Sequence, residues 1–210
     1  MTRAPLSRQT IEAALEALGK CARHEGQVID IAIYGGSALM LVSNFRASTF
    51  DVDAVADDAQ QANLERYAAT VATELGLPAQ WLNDQVFPHL SDKIDGFETE
   101  HTLFRSYPVG ATPGLRVFVP SAEYMCALKL IALRIEGAGA KDYEDLAHLT
   151  TVLDLRTAPD ALALVGRFYG HGEISGRVEN GIKRLYSLFE ERGADRVPTP
   201  TYLGRSSPSC

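Results

Sequence analysis

Residues 28–42 of this chain read VIDIAIYGGSALMLV, and residues 49–55 read TFDVDAV. The apolar, β-branched run up to Tyr34 predicts a buried strand that ends at Gly35-Gly36. The next residues, 37–42, predict a short helix, and the second stretch predicts another strand. The order of strand, glycine pair, helix and aspartate-bearing strand decides both the fold and the site that we expect.

The remainder of the chain divides into a mixed half and a helical half. Apolar residues at helical spacing predict a first helix, capped by Ser7 or Thr10 and running to about Arg23. Residues 76–114 predict short strands and long loops, and residues 115–119 predict a strand. Further helices are predicted over residues 59–75, 121–135, 141–153, 160–168 and 173–192, the second of these capped by Ser121.

These elements predict an α+β protein in three parts. We expect an α/β core, a small mixed sheet with flanking helices, over residues 1–119. A C-terminal helical bundle is expected over residues 120–197, and a flexible tail over 198–210. At 210 residues the chain is long enough to bury a substantial core of this kind.

The composition restricts the class of protein. With 27 acidic and 20 basic side chains the net charge is -7, so a broad basic face for nucleic acid is not expected, and no DNA partner is predicted. No apolar run approaches the roughly 18 residues that a membrane span needs. The three cysteines are scattered, with Cys21 and Cys126 in apolar helical patterns typical of a core. We expect a cytoplasmic protein with no membrane partner.

Asp51 and Asp53 are two residues apart on a predicted strand, so both side chains point to the same face. Their Cα atoms would lie about 6.5–7 Å apart, close enough to share a cation. Mg²⁺ is the best candidate, with Mn²⁺ as an alternative, because it binds through one or two carboxylates together with substrate phosphates. The pair alone is weak evidence, since a charged strand edge explains the same pattern.

The glycine pair predicts a phosphate-binding turn. Gly35 and Gly36 let the backbone approach an anion, and the following helix supplies free N–H groups at its N-terminus. Ser37 either donates its hydroxyl to the same phosphate or caps the helix. The turn is neither a Walker A loop nor a dinucleotide fingerprint, because the lysine and the glycine spacing of those motifs are missing.

The combination of YGGSALML, Arg46, Thr49 and the D-V-D of residues 51–53 resembles the Gly-Ser plus D-x-D signature of the DNA polymerase β-like nucleotidyltransferase superfamily. Residues 123–149, EYMCALKLIALRIEGAGAKDYEDLAHL, resemble the lysine helix and the (R/K)-D-x-x-D-L helix of its AbiEii-like group. That group includes toxins of toxin–antitoxin systems. The resemblance covers about residues 30–150.

The resemblance implies a nucleotidyltransferase-like core whose active site is completed by the helical half. Its site residues fall into three groups: nucleotide-binding Gly35, Gly36, Ser37, Arg46 and Lys129; metal-binding Asp51 and Asp53; and catalytic Asp51, Asp53, Lys129, Asp142 and Asp145. It implies Mg²⁺-dependent transfer of a nucleoside monophosphate from an NTP to an acceptor, with release of pyrophosphate. The acceptor would be tRNA, a protein or a small molecule, and an antitoxin protein is a candidate partner.

Each of these residues also has a structural explanation. Lys129 could be a lysine at the edge of an apolar helix that extends to water. Asp142 could be an acid favoured by the helix dipole, and Asp145 an i,i+4 partner of Lys141. Surface salt bridges would account for Arg46 and for the further phosphate candidate Arg134 equally well.

Two other functions stay open. Many members of the superfamily carry a third carboxylate on a later strand, which here is expected at residues 115–119, yet that strand has Arg116 and no acid. The chain could therefore be a non-catalytic binding module or toxin–antitoxin partner. A second alternative is an aminoglycoside-type small-molecule nucleotidyltransferase, with a cationic acceptor bound by the acids of the central region: Asp84, Asp92, Asp95, Glu98 and Glu100.

Overall fold

The computed structural model of the chain describes residues 4–43, 46–133, 140–170 and 172–191. These residues form seven α-helices and a mixed five-stranded sheet, which confirms the α+β class. The helices are α1 (Arg8–His24), α2 (Gly35–Val42), α3 (Asp58–Leu75), α4 (Ala122–Ile131), α5 (Ala140–Val152), α6 (Ala158–Phe168) and α7 (Gly176–Glu191). The strands are β1 (Ile29–Tyr34), β2 (Val52–Ala56), β3 (Leu82–Asn83), β4 (His101–Tyr107) and β5 (Leu115–Pro120), and a 3₁₀ turn covers Phe87–His89. The predicted tail and Arg134 lie outside the described residues.

The sheet has the strand order β3-β2-β1-β5-β4. β1 is antiparallel to β2 and parallel to β5, while β2 is parallel to β3 and β4 is antiparallel to β5. β1 therefore lies at the centre, which explains why a β-branched apolar sequence forms it and why five of its six residues are buried. The glycine pair directly follows this central strand and forms the first two residues of α2.

The described residues fall into two compact units. Unit 1 contains those of ranges 1–41, 46–88 and 96–120, and unit 2 contains those of 42–45, 89–95 and 121–210. Unit 1 is built by the sheet with α1 and α3, and unit 2 by α4 to α7. None of the helices within the described ranges has the length and hydropathy that crossing a membrane requires.

The core of unit 1 follows the apolar pattern of α1. Ile11, Leu15 and Leu18 recur at helical spacing and are completely buried, each contributing about 1.5–3 kcal/mol through removal of apolar surface from water. Ser7 begins the helix by accepting a hydrogen bond from the backbone N–H of Thr10. Of the two caps predicted from the sequence, Ser7 is therefore the one used.

The helix after the glycine pair begins earlier than predicted. α2 starts at Gly35 and not at Ser37, so Ser37 lies in the first turn of the helix. The Ser37 hydroxyl donates a hydrogen bond to the backbone carbonyl of Tyr34 at 2.9 Å. This hydrogen bond joins the last residue of β1 to the first turn of α2, so the helix begins directly after the strand.

The strand that carries the aspartates is shorter than predicted. β2 begins at Val52, so Asp51 precedes the strand and only Asp53 lies within it. The ladder with β1 ends where Tyr34 pairs with Asp53, and the chain bends at Phe50. β2 extends one residue further, to Val52, which pairs with Leu82 of β3.

In unit 2, α4 packs against α5, α6 and α7. Ser121 caps α4 by accepting from the backbone N–H of Tyr124, as predicted. A capping box of Thr157 and Asp160 begins α6. Cys126 is fully buried, and burial raises the pKa of its thiol to about 12. Cys126 is therefore a core residue, because a protonated, buried thiol is a poor nucleophile.

Candidate functional site

The carboxylate of Asp53 lies against the backbone of Gly35. A Cβ atom added at Gly35 would be 2.8 Å from Asp53 Oδ2, and Gly35 has a φ of +63°. Both constraints select glycine, because any other residue would bring a side-chain atom into the carboxylate and strain the backbone. The β1–β2 register produces this contact, since Asp53 pairs with Tyr34, the residue before Gly35. One carboxylate of the predicted metal pair and one glycine of the predicted phosphate turn are thus in contact.

The guanidinium of Arg46 lies against Gly36. A Cβ atom added at Gly36 would collide with Arg46 Cζ and would be 2.6 Å from its Nε. The Nε–H group also donates to the backbone carbonyl of Ser48 at 3.4 Å. An anion at the N-terminus of α2 would meet this positive charge together with the backbone N–H groups of the first helical turn, which have no partner inside the helix.

Ser37 is 1% exposed, and its hydroxyl donates to the Tyr34 carbonyl. A serine hydroxyl has one proton to donate, so a bond to phosphate would require this contact to break. The predicted contact between Ser37 and a nucleotide stays a prediction.

Asp51 and Asp53 flank a residue that faces the core. Val52 is completely buried, and its backbone N–H donates to the carbonyl of Trp81 at 2.7 Å. In extended backbone the neighbours of such a residue point to the opposite side. Both aspartates are only partly buried, as this alternation requires.

The sheet order decides which strand could add a third ligand beside Asp53. The neighbours of β2 are β1 and β3, whereas β5 lies on the far side of β1. Arg116 of β5 donates to Asp30 of β1, with 2.6 Å between Nε and Oδ1. The third carboxylate of the superfamily is expected on β5, but β5 is not a neighbour of β2, the strand that carries Asp53. The residue paired with Asp53 on β3 is Asn83.

In unit 2, Lys129 forms ion pairs with two carboxylates of α5. Its Nζ lies 2.9 Å from Asp145 Oδ2 and 3.3 Å from Asp142 Oδ1. The side chains of Lys129 and Asp145 are 10% and 5% exposed, and that of Asp142 is 59% exposed. The apolar helix α4 tolerates a lysine because these carboxylates neutralise it. Of the three residues that the resemblance selects in the helical half, Lys129 therefore contacts both of the others.

The ion pair of Lys129 with Asp145 tests the structural explanation that the sequence offered for Lys129. Lys129 does not extend to water, since it is almost entirely buried against Asp145. Asp142 lies in the first turn of α5, where the helix dipole favours an acid. A contact of Lys129 with phosphate stays a prediction; the ammonium group has three N–H donors, and two carboxylates lie within ion-pair distance of it.

The residues near the glycine turn fit Mg²⁺ in their donor chemistry. Asp51 and Asp53 offer hard carboxylate oxygens, and the missing side chain of Gly35 allows Asp53 Oδ2 to lie close to the backbone at the start of α2. Mg²⁺ typically completes such a set with water and substrate phosphates. Over the described ranges, no group of three or more His, Cys, Asp or Glu side chains is placed to hold a metal ion.

A histidine that the sequence did not single out contacts Tyr34, the last residue of β1. His101 Nδ1 is 2.8 Å from the carbonyl of Thr99, and Nε2 is 2.9 Å from the Tyr34 hydroxyl. Because a carbonyl can only accept, Nδ1 carries the proton, and Nε2 of the neutral ring accepts from Tyr34. Burial lowers the pKa of His101. His101 and Asn83 both lie in the range 76–114, for which residue patterns predicted only short strands and loops.

Comparison of the chain with protein-family models, with curated proteins and with solved structures finds no match. The contacts of Asp53 with Gly35 and of Arg46 with Gly36 are thus the observations on which a functional proposal rests.

The central acids considered for a cationic acceptor divide between the two units, with Asp84, Glu98 and Glu100 in unit 1 and Asp92 and Asp95 in unit 2.

Proposed function

We propose that this chain is a Mg²⁺-dependent nucleotidyltransferase of the DNA polymerase β-like superfamily, resembling its AbiEii-like group. One observation carries the proposal. The Asp53 carboxylate lies against Gly35, in the turn where the backbone changes from β1 to α2. A metal-binding carboxylate and a phosphate-binding turn are needed side by side when a cation bridges protein and triphosphate. The Arg46 contact with Gly36 supports the same assignment.

The reaction is the transfer of a nucleoside monophosphate. The oxygen of an acceptor hydroxyl forms a bond to the α-phosphorus as the bond from that phosphorus to the bridging oxygen of the β-phosphate breaks. Pyrophosphate leaves with those electrons, and the hydroxyl proton passes to water. Little covalent chemistry is required of the protein in such a transfer, so catalysis depends on positioning and on neutralising charge. Mg²⁺, when bound, supplies much of that neutralisation.

The residues of unit 1 divide these tasks. Asp51 and Asp53 would hold the cation. The backbone N–H groups of the first turn of α2 would bind phosphate oxygens, which Gly35 and Gly36 allow because they carry no side chain. Arg46 would place a permanent positive charge on the triphosphate, and its planar guanidinium suits phosphate oxygens.

The acceptor is a tRNA end, a protein hydroxyl or a small molecule, and an antitoxin protein is a proposed partner. To test for transfer, purified protein is incubated with each α-labelled NTP and Mg²⁺ or Mn²⁺, with total tRNA, cell protein or an aminoglycoside in separate reactions. We expect label in one acceptor, lost in Asp53→Ala and kept in Asp57→Ala. Asp57 is a suitable control because it is an exposed carboxylate near the end of β2 that makes no capping hydrogen bond.

A non-catalytic nucleotide-binding module is the second candidate, and two contacts favour it. The Ser37 hydroxyl bonds to the Tyr34 carbonyl, and the Lys129 ammonium bonds to Asp145, so two groups that transfer would use are engaged within the fold. Such a module would bind an NTP with Mg²⁺, lose that binding in Asp53→Ala, and label no acceptor. Absence of NTP binding with either cation would contradict both candidates.

A further inference from the structure

The sheet register places Asn83 directly beside Asp53. β2 and β3 run parallel, with Val52 paired to Leu82 and Asp53 paired to Asn83. Val52 and Leu82 are buried, whereas Asp53 and Asn83 are both partly exposed. Laterally paired residues share a face of the sheet, at a Cα separation of roughly 4.8–5.5 Å. Asn83 therefore lies on the same face as Asp53, on the adjacent strand.

The carboxamide of Asn83 has a defined orientation. Its Oδ1 accepts a hydrogen bond from the backbone N–H of Gln85 at 3.0 Å, which closes a turn just after β3. The Nδ2 group of the same carboxamide carries two N–H donors. That bond to Gln85 is the one hydrogen bond of the Asn83 side chain to the rest of the described chain. Two N–H donors thus remain for an acceptor on the face that carries Asp53.

We infer that Asn83 is a nucleotide-binding residue whose Nδ2 donates to a phosphate oxygen of the substrate; this inference depends on the proposed function. A phosphate bound through a cation at Asp53 comes within side-chain reach of the neighbouring strand. A third carboxylate there would repel the phosphate oxygens, whereas an amide supplies a donor and no charge. The chain then has two carboxylates for the cation and one neutral donor for the nucleotide.

The test uses two substitutions that remove the Nδ2 donors in different ways. Asn83→Asp retains an oxygen that can accept from Gln85, so the turn is preserved, but it adds a negative charge. Asn83→Leu adds no charge but removes the turn acceptor. Gln85→Glu is the control, because it adds the same negative charge at an exposed position two residues away and keeps the backbone N–H that bonds to Asn83. Isothermal titration gives the Kd for ATP with Mg²⁺ and for Mn²⁺ alone, and urea unfolding gives stability.

We expect both Asn83 variants to weaken binding of ATP with Mg²⁺ at least tenfold and Gln85→Glu to change it less than twofold. Binding of Mn²⁺ alone should be no weaker in Asn83→Asp than in the wild type. Unchanged ATP binding in Asn83→Leu overturns the inference, because a loss confined to Asn83→Asp reflects charge repulsion. The proposed function fails separately, if the wild type binds no nucleotide or if Asp53→Ala binds it as well as the wild type does.

Discussion

Asp53 Oδ2 would lie 2.8 Å from a Cβ atom on Gly35, so the carboxylate occupies the space that a side chain at Gly35 would fill. The two residues are 18 positions apart in the chain, and antiparallel pairing of β1 with β2 brings them together. This contact makes the D-x-D motif and the glycine pair parts of one site. It can be tested by substitutions that alter the contact in defined ways.

Gly35→Ala should destabilise the fold more than Gly76→Ala does. Gly76 has nearly the same φ, +64° against +63°, but a Cβ there would meet nothing within 4 Å. Gly76→Ala therefore measures the backbone strain, about 1–2 kcal/mol, and the excess loss in Gly35→Ala measures the collision with Asp53. The free energy of unfolding can be followed in urea by the fluorescence of Trp81, the single and fully buried tryptophan. Equal losses of unfolding free energy in the two variants would show that the Asp53 carboxylate does not collide with a Cβ atom at position 35.

Gly36→Ala should weaken nucleotide binding with little loss of stability. The new methyl group would displace the Arg46 guanidinium, which is the end of a flexible side chain, so the backbone need not move. If Arg46 binds phosphate, the effects of Gly36→Ala and Arg46→Ala on the Kd for ATP with Mg²⁺ should not add. The double variant should then bind no more weakly than Arg46→Ala alone. Additive losses would mean that the two residues act independently.

Lys129→Met should be strongly destabilising, by about 3–5 kcal/mol, because it removes the cation that lies 2.9 Å from the Asp145 carboxylate, whose side chain is 5% exposed. The double variant Lys129→Met with Asp145→Leu should recover much of this loss, because it removes both charges. Asp142→Asn is the matched control, and since Asp142 is 59% exposed its effect should stay within about 0.5 kcal/mol. Urea unfolding measures all three. A Lys129→Met protein as stable as the wild type, but defective in transfer, would favour the catalytic role over the structural one.

The stability of the fold should fall as the pH falls from about 7 to 5. Burial lowers the pKa of both His101 and His148 in the folded chain. The unfolded chain then binds protons first, near pH 6.5, so stability is greatest above that pH and is lost as the pH falls through the folded-state pKa values. His101→Gln should make the pH dependence of urea unfolding shallower, with His148 accounting for the remainder. His24→Gln, at an exposed position, controls for the substitution itself. An unchanged dependence in His101→Gln would contradict the prediction.

Local patterns predicted the helices and central strands of this protein because those elements depend on nearby residues. The Ser7 and Ser121 caps and the apolar spacing of α1 are set within a few positions of the chain. The β-branched composition of β1 is enough to predict its burial at the centre of a sheet. Boundaries differed where tertiary contacts decide them, as at Asp51, which precedes β2 because the ladders of this strand begin at Asp53 with β1 and at Val52 with β3.

The sequence by itself determined the α+β class, the order of the elements and the residue types available for chemistry at the D-x-D and Gly-Gly motifs. Only the tertiary structure decided which residues are neighbours. Strand order is set by pairing between distant segments, so no local pattern predicts that β3 lies beside β2 and that Asn83 lies beside Asp53. The same holds for Lys129 and Asp145, whose ion pair depends on packing of α4 against α5. The sequence specifies the type of each side chain, whereas the distance between two charged groups depends on how the folded chain packs.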